Sequence, residues 1–242
     1  MQITRDIYLV AGSVYGTGSN IYAIRHKAGV ALVDPGMNEG EISRTSAVLA
    51  QWELASLPIT DVLLTHEHFE HSGNALYYQK MGACIHAGAA AADALSAGDW
   101  RVAHYAHALE KPYISFHADH AMQNGEKMLL GETEIQCIFC PGHSAGSVAY
   151  LMNDGEKKIL FVGDTIIPQI LCMHAKTGWT GSPDFDCEQL LGSLEHLTEI
   201  EPDVLLSAHG EICVYEGRQL IWDALVQTRM ALRHAAKYPL HF

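Results

Sequence analysis

The sequence predicts an α/β protein in which sheets are covered by helices in layers. Three observations carry that prediction. Short apolar runs rich in β-branched residues recur along the 242 residues, each bounded by turn residues. Amphipathic helical patterns lie between them. No Pro/Ser-rich linker or long charge block divides the chain, so residues 1–242 read as a single domain. With 48% hydrophobic and 18% charged residues, the chain can bury a sizeable core. No apolar run approaches the ~18 residues that would read as a transmembrane helix, so no membrane partner is expected.

Taken in order, residues 7–10, 21–24 and 30–33 are strands, the last closed by the turn Asp34-Pro35-Gly36. A helix follows, with Ile42, Thr45, Leu49 and Trp52 on one face. Residues 62–64 form the next strand. The stretch 87–124 fits the pattern least, being Ala-rich at first and then dense in aromatic and histidine residues. It reads as a helical insertion over one end of the fold that forms part of the substrate pocket or its lid. Long insertions at an active edge usually carry specificity, and Trp100, Tyr105, Tyr113 and Phe116 suit a partly apolar ligand. Residues 135–139, 148–151 and 159–162 are strands, with the turn Asn153-Asp154-Gly155 between the last two. A helix carrying Leu190, Leu191, Leu194 and Leu197 has Asp186 as N-cap, Gln189 three residues on, and Phe185 placed to staple onto Leu190. After a strand at 204–206, the last helix covers about 217–236, its buried stripe being Ile221, Ala224, Leu225, Thr228, Leu232 and Ala235.

Composition narrows the function. Lys plus Arg is 15 and Asp plus Glu is 28, a formal charge of −13. So acidic a chain cannot neutralise a phosphate backbone over a broad face, and nucleic acid is not expected as a partner. Met1-Gln2-Ile3-Thr4-Arg5-Asp6 lacks the basic start and apolar stretch of a signal peptide. Cys84, Cys137, Cys140, Cys172, Cys187 and Cys213 have no short-spaced framework, so reduced thiols in a cytoplasm are expected. Cys137 and Cys140 have redox-motif spacing, but a strand there sends the two thiols to opposite faces, where they pack as small hydrophobes. The fifteen histidines equal Lys and Arg combined, and their positions must explain the excess.

Thr65-His66-Glu67-His68-Phe69-Glu70-His71 follows directly on an apolar strand. In extended chain His66 and His68 point to one side, and Glu70 and His71 can face it again as the chain turns into a helix. Imidazoles and a carboxylate at this density form a nest for a borderline divalent metal such as zinc. Three more strand ends supply similar groups: His143 in Pro141-Gly142-His143-Ser144-Ala145-Gly146, Asp164 after Val162-Gly163, and His209 after Ser207-Ala208. Alone, each would pass as an ordinary polar or turn residue; together with the first motif they are specific. The segments 61–66 and 203–209 also echo one another, each reading as a buried strand that delivers a histidine at its C-terminal end.

This set resembles the metallo-β-lactamase superfamily, whose pattern is His-x-His-x-Asp-His, then a histidine in a Gly-rich turn, a bridging aspartate and a final histidine. The resemblance runs in order over His66, His68, Glu70, His71, His143, Asp164 and His209. It implies an αβ/βα four-layer sandwich, two mixed sheets flanked by helices, with a metal pair at one edge. His66, His68 and His143 would hold one ion, Glu70, His71 and His209 the second, and Asp164 would bridge them. Asp34 matches a position that supports the site from behind. Glu at position 70 replaces the family's Asp and is one methylene longer. Two zinc ions are therefore expected, with Mn or Fe admissible at the Glu70 site.

Two such ions, roughly 3.5–4 Å apart, lower the pKa of bound water from about 15.7 to about 7, giving a hydroxide that attacks an electrophilic centre. Asp164 and Glu70 are then catalytic as well as ligating. His174, with Tyr105 and Trp179, is the candidate for touching substrate. His104, His107, His117 and His120 have no Cys or carboxylate at ligand spacing and read as surface or lid histidines. The expected reaction is hydrolysis of an ester, thioester or lactone of a small molecule. A phosphodiester hydrolase and a mononuclear-iron sulfur dioxygenase are the alternatives. Hydroxyacylglutathione is less expected as substrate, because hydrolases of that thioester carry a longer helical extension than residues 210–242 provide. A homodimer is the assembly left open.

Overall fold

In the computed structural model, which describes residues 1–16, 18–98, 100–102, 113–169 and 171–237 (side chains to 233), strands alternate their faces so that two sheets share one apolar interior. The first sheet holds β1 (Ile7–Ala11), β2 (Ile21–His26), β3 (Gly29–Val33), β4 (Ile59–Leu64), β5 (Cys84–Gly88) and β6 (His120–Met122), side by side in that order. Hairpins join β1 to β3 antiparallel, whereas β3 to β6 run parallel. Parallel neighbours need crossovers. These are α1 (Glu39–Gln51), then α2 (Phe69–Ser72) with α3 (Ala75–Lys80), and α4 (Ala89–Ala97) after β5. The second sheet begins with the meander β7 (Lys127–Leu130), β8 (Thr133–Phe139), β9 (Val148–Asn153) and β10 (Lys158–Gly163). A small hairpin, β11 (Ile167–Gln169) with β12 (His174–Lys176), and α5 (Cys187–Leu197) lead back to β13 (Val204–Ser207), parallel to β10. The helix α6 (Gly217–Lys237) packs over β12, β13 and α5.

The layers follow from side-chain parity. Ala31, Val33 and Leu63 point between the sheets and meet Tyr150, Phe161 and Leu206 of the second. Their neighbours Val30, Leu32, Val62 and Leu64 face the other way, against Val48 and Leu49 of α1, Tyr78 of α3 and Leu95 of α4. Leu160, Val162 and Leu205 likewise face Leu190, Leu194 and Leu197 of α5 and Ile221 and Leu225 of α6. The chain is thus an αβ/βα sandwich, as expected. Every strand anticipated from the sequence is present. Asp186 caps α5 by accepting from Glu188 and Gln189 N–H at 2.9 and 3.0 Å, and Gln189 Nε2 returns a bond to Asp186 at 2.8 Å. Cys137 is buried between the sheets and Cys140 under α5, on opposite faces as predicted. Among the described residues no helix is long and apolar enough to cross a membrane.

Three expectations are corrected. The stretch 87–124 is not an insertion at its ends: residues 87–97 complete β5 and add α4 to the first core, and 120–122 are β6. Residues 100–102 are helical and 113–118 lack regular structure, and His104, Tyr105 and His107 lie outside the described residues. Trp52 falls just beyond α1 and is 38% exposed, while Val48 takes the buried position one turn earlier. The thiols are not all reduced: Cys172, between the hairpin strands, is bonded to Cys213, after β13, with Cα atoms 6.0 Å apart.

Candidate metal centre

The ends of β4, β10 and β13 converge on one edge. Gly163 makes the convergence fit: its φ of +52° suits glycine, and a Cβ there would collide with Thr65 Oγ1. Asp34, at the end of β3, adopts φ +53°, a left-handed conformation that aspartate tolerates better than most residues. Its carboxylate accepts from Thr65 N–H at 2.8 Å and Thr65 Oγ1–H at 2.7 Å, and lies 3.3 Å from His71 Nδ1. Thr65 Oγ1 is in turn 3.1 Å from His66 Nδ1. Both histidines are therefore held through Nδ1 and present Nε2 forward, the arrangement in which an outer partner fixes the tautomer of a ligating ring.

The presented atoms form two groups. His66, His68 and His143 each offer a nitrogen within 4.8 Å of the others, and so do His71 and His209 with an oxygen of Asp164. Asp164 faces both: Oδ2 is 3.7 Å from His143 Nε2, while Oδ1 is 3.8 Å from His71 Nε2 and 3.6 Å from His209 Nε2. Glu70 Oε1 lies 3.9 Å from His71 Nε2. These separations are too long for hydrogen bonds and match neighbouring ligands of one ion at about 2.0–2.2 Å from each. His66 Nε2, His71 Nε2, His143 Nδ1, Glu70 Oε2 and Asp164 Oδ1 are all buried without a hydrogen-bond partner. Leaving so many polar atoms unsatisfied in one place costs about 1–3 kcal/mol each, which a shared cation removes. The residues present fit a divalent metal centre.

The electrostatics agree. Burial drives His66 well below the usual histidine range, helped by charge on His71, His68, His143 and His209. Burial likewise pushes His143 down to about 4, with Asp164 opposing and His68 adding. Burial also works against a charged His71, but Asp164, Asp34 and Glu70 overcome it and lift the ring to about 9. Burial would raise Asp164, yet His71, His209, His143 and His68 hold it below the ordinary carboxylate range. Without a metal, His71 carries the positive charge that the carboxylates demand.

His174 is not among the residues brought together. Its side chain is 55% exposed and faces Asp223 of α6 at 3.7 Å, because β12 packs against that helix. Trp179 is half exposed beside Gly178, whose N–H donates to Asp164 O at 2.7 Å. Sequence reasoning missed Glu67, which is fully buried. It accepts from Ser144 Oγ–H at 3.0 Å and Gly146 N–H at 3.3 Å, tying the His143 turn to the segment after β4 that bears His66 and His68. Its signal was alternation: a residue between two histidines on one face must point to the other.

Fold and site together define a metal-binding αβ/βα sandwich. Residues 14–209 match the family model of the metallo-beta-lactamase superfamily, and the chain belongs to that superfamily. It is 26% identical over 174 residues to the acyl-coenzyme A thioesterase MBLAC2 of Gallus gallus, covering 62% of this chain and 58% of that protein. It is 32% identical over 165 residues to the hydroxyacylglutathione hydrolase of Rhodospirillum rubrum, covering 67% and 52%. The chain thus spans little more than half the length of these two relatives. BJP-1, a subclass B3 metallo-beta-lactamase of Bradyrhizobium japonicum, shares the fold with a TM-score of 0.75 at 21% identity, over 98% of this chain and 93% of that one.

Proposed function

We propose that the protein is a metal-dependent hydrolase that cleaves the thioester bond of a small acyl substrate. The observation that carries the reading is Asp164, whose two carboxylate oxygens face two separate histidine groups. That arrangement suits a pair of divalent ions, zinc by the chemistry of the imidazole-rich donors. When bound, the ions supply a lowered water pKa and Lewis-acid stabilisation of the developing oxyanion. The chain's own part is positioning. Asp34 and Thr65 fix His71 and His66, Glu67 fixes the His143 turn, and Glu70 and Asp164 balance positive charge at a largely buried edge.

The substrate class is supported by a cavity of about 360 Å³ lined by Met37, Phe69, Leu76, Tyr113, Ile114 and Phe116. Phe69 lies between His68 and Glu70 in the chain, and Tyr113, Ile114 and Phe116 supply one wall of the cavity. An apolar acyl chain suits these walls. A thiolate leaves without a proton donor, which matches a site whose histidines are occupied as ligands. The names of the two relatives above, each a thioester hydrolase, point the same way.

The test is metal analysis followed by a panel of acyl-coenzyme A, acylglutathione, lactone and phosphodiester substrates. Two zinc ions per chain and chelator-sensitive thioester hydrolysis are expected. A single iron with oxygen uptake, or turnover of phosphodiesters alone, would overturn the reading.

A further inference from the structure

A second polar cluster lies between the sheets at the opposite ends of the same strands. Asp61, near the start of β4, pairs in register with Cys84 at the start of β5, and His86 pairs with His120 of β6. Asp61 is five residues from His66, about 16 Å along an extended strand. Asp61, Cys84 and His86 each offer one ligand atom, all within 4.8 Å of one another. His86 is 5% exposed.

The hydrogen bonds around His86 do not close with neutral rings. Its Nε2 is 2.8 Å from Asp61 Oδ1, and its Nδ1 is 3.3 Å from His120 Nδ1. His120 Nε2 is 2.7 Å from Glu126 Oε1. Carboxylates only accept, so each Nε2 must carry a hydrogen. Two neutral rings then leave two bare Nδ1 lone pairs facing each other. The array needs one more positive charge. An extra proton could supply it, and so could a cation at His86 Nε2. In the second case the hydrogen of His86 moves to Nδ1 and donates to His120 Nδ1, whose Nε2–H donates to Glu126. Every donor then has an acceptor, in the ligand–histidine–outer partner order common at metal sites.

We propose that Asp61, Cys84 and His86 form a second, independent site for a borderline divalent cation such as zinc, with His120 and Glu126 orienting the histidine ligand. Thiolate, imidazole and carboxylate are the donors zinc takes, and three protein ligands leave room for a water. Burial, with Asp119 and Asp61 nearby, raises the Cys84 thiol above its usual value, so the sulfur is protonated without a cation. A coordinating cation deprotonates it. Binding therefore releases the proton of Cys84 Sγ. His26, whose Nε2 is 4.0 Å from Asp61 Oδ2, is buried and held below the usual histidine range by that burial, so it does not compete as a cation.

Cobalt(II) is the probe, titrated into the metal-free protein. The catalytic edge offers only imidazole and carboxylate, so a thiolate-to-cobalt charge-transfer absorption marks a site that includes cysteine. The wild type should show this band and bind one ion beyond the catalytic pair. Cys84→Ser and Cys84→Ala should lose the band and that single ion, retain the catalytic pair, and keep their far-ultraviolet circular dichroism. His86→Gln should weaken the extra site at least tenfold, in line with removal of a ligand. Equal stoichiometry in the wild type and both Cys84 variants, or a band that survives them, would overturn the proposal and leave a proton as the closing charge.

Discussion

Asp164 and His71 are the pair on which the centre's charge balance turns. Asp164→Asn removes a negative charge shared by both histidine groups, and kcat/KM should fall by about 10²-fold or more, with metal content dropping in the same preparations. Glu70→Ala should reduce bound metal from two ions toward one; full two-metal stoichiometry in that variant would remove Glu70 from the ligand set. His71 makes a prediction with a definite sign. Its folded value of about 9 stands above the ordinary 6.5, so in metal-free protein its stabilising contribution is complete below pH 6.5 and lost as pH rises through 9. Thermal midpoints of chelated protein should therefore fall between those limits, and His71→Asn should flatten the decline. Metal affinity runs oppositely, rising with pH as His71 gives up its proton; calorimetry in buffers of different ionisation enthalpy measures that release. The seven candidate positions could be named in the sequence because their spacing survives on a line, and the structure gathers their side chains at one edge. Glu67 and the Asp61–Cys84–His86 grouping could not, since their partners come from other strands and only register brings them together.

At the scale of elements, strands with strong β-branched character announced themselves, whereas β5, β6 and β7 did not. Cys84-Ile85-His86-Ala87-Gly88 carries a polar residue at its centre and small ones at its end, and His120-Ala121-Met122 is too short for a period. β5 is a strand because β4 offers an edge to pair with, and β6 because β5 then does, a tertiary cause invisible locally. The disulfide was missed for the same reason, its half-cystines being 41 residues apart. Closing a loop of that length should contribute about 4 kcal/mol by chain entropy. Reductant should lower the denaturation midpoint of the wild type and leave that of Cys172→Ser unchanged. The cavity beside α2 carries a specificity prediction. Leu76→Trp fills space that an acyl tail would use, so KM for long-chain thioesters should rise by about tenfold or more while short-chain turnover holds; an equal loss on both would place the tail elsewhere.

At the scale of the whole molecule, the two halves echo one another in structure as the segments 61–66 and 203–209 do in sequence. Tyr150 of β9 donates its hydroxyl to Leu64 O at 2.8 Å, and Val148 N–H reaches Thr65 O at 2.7 Å, at the end of β4. Tyr22 of β2 donates to Ser207 O at 2.6 Å, and Asn20 N–H reaches Ala208 O at 2.6 Å, at the end of β13. Each sheet thus anchors the histidine-bearing strand end of the other. The candidate ligands likewise come from both halves, so chelation should lower the thermal midpoint, and added zinc should raise it in a concentration-dependent way. These crossed tyrosines make the ion a rivet driven through two plates. Once it is drawn, the plates are held by their apolar faces and a few crossed hydroxyls, and the seam between them becomes the place where a protease first finds purchase. Metal supply would then set how long each molecule survives as well as how fast it works.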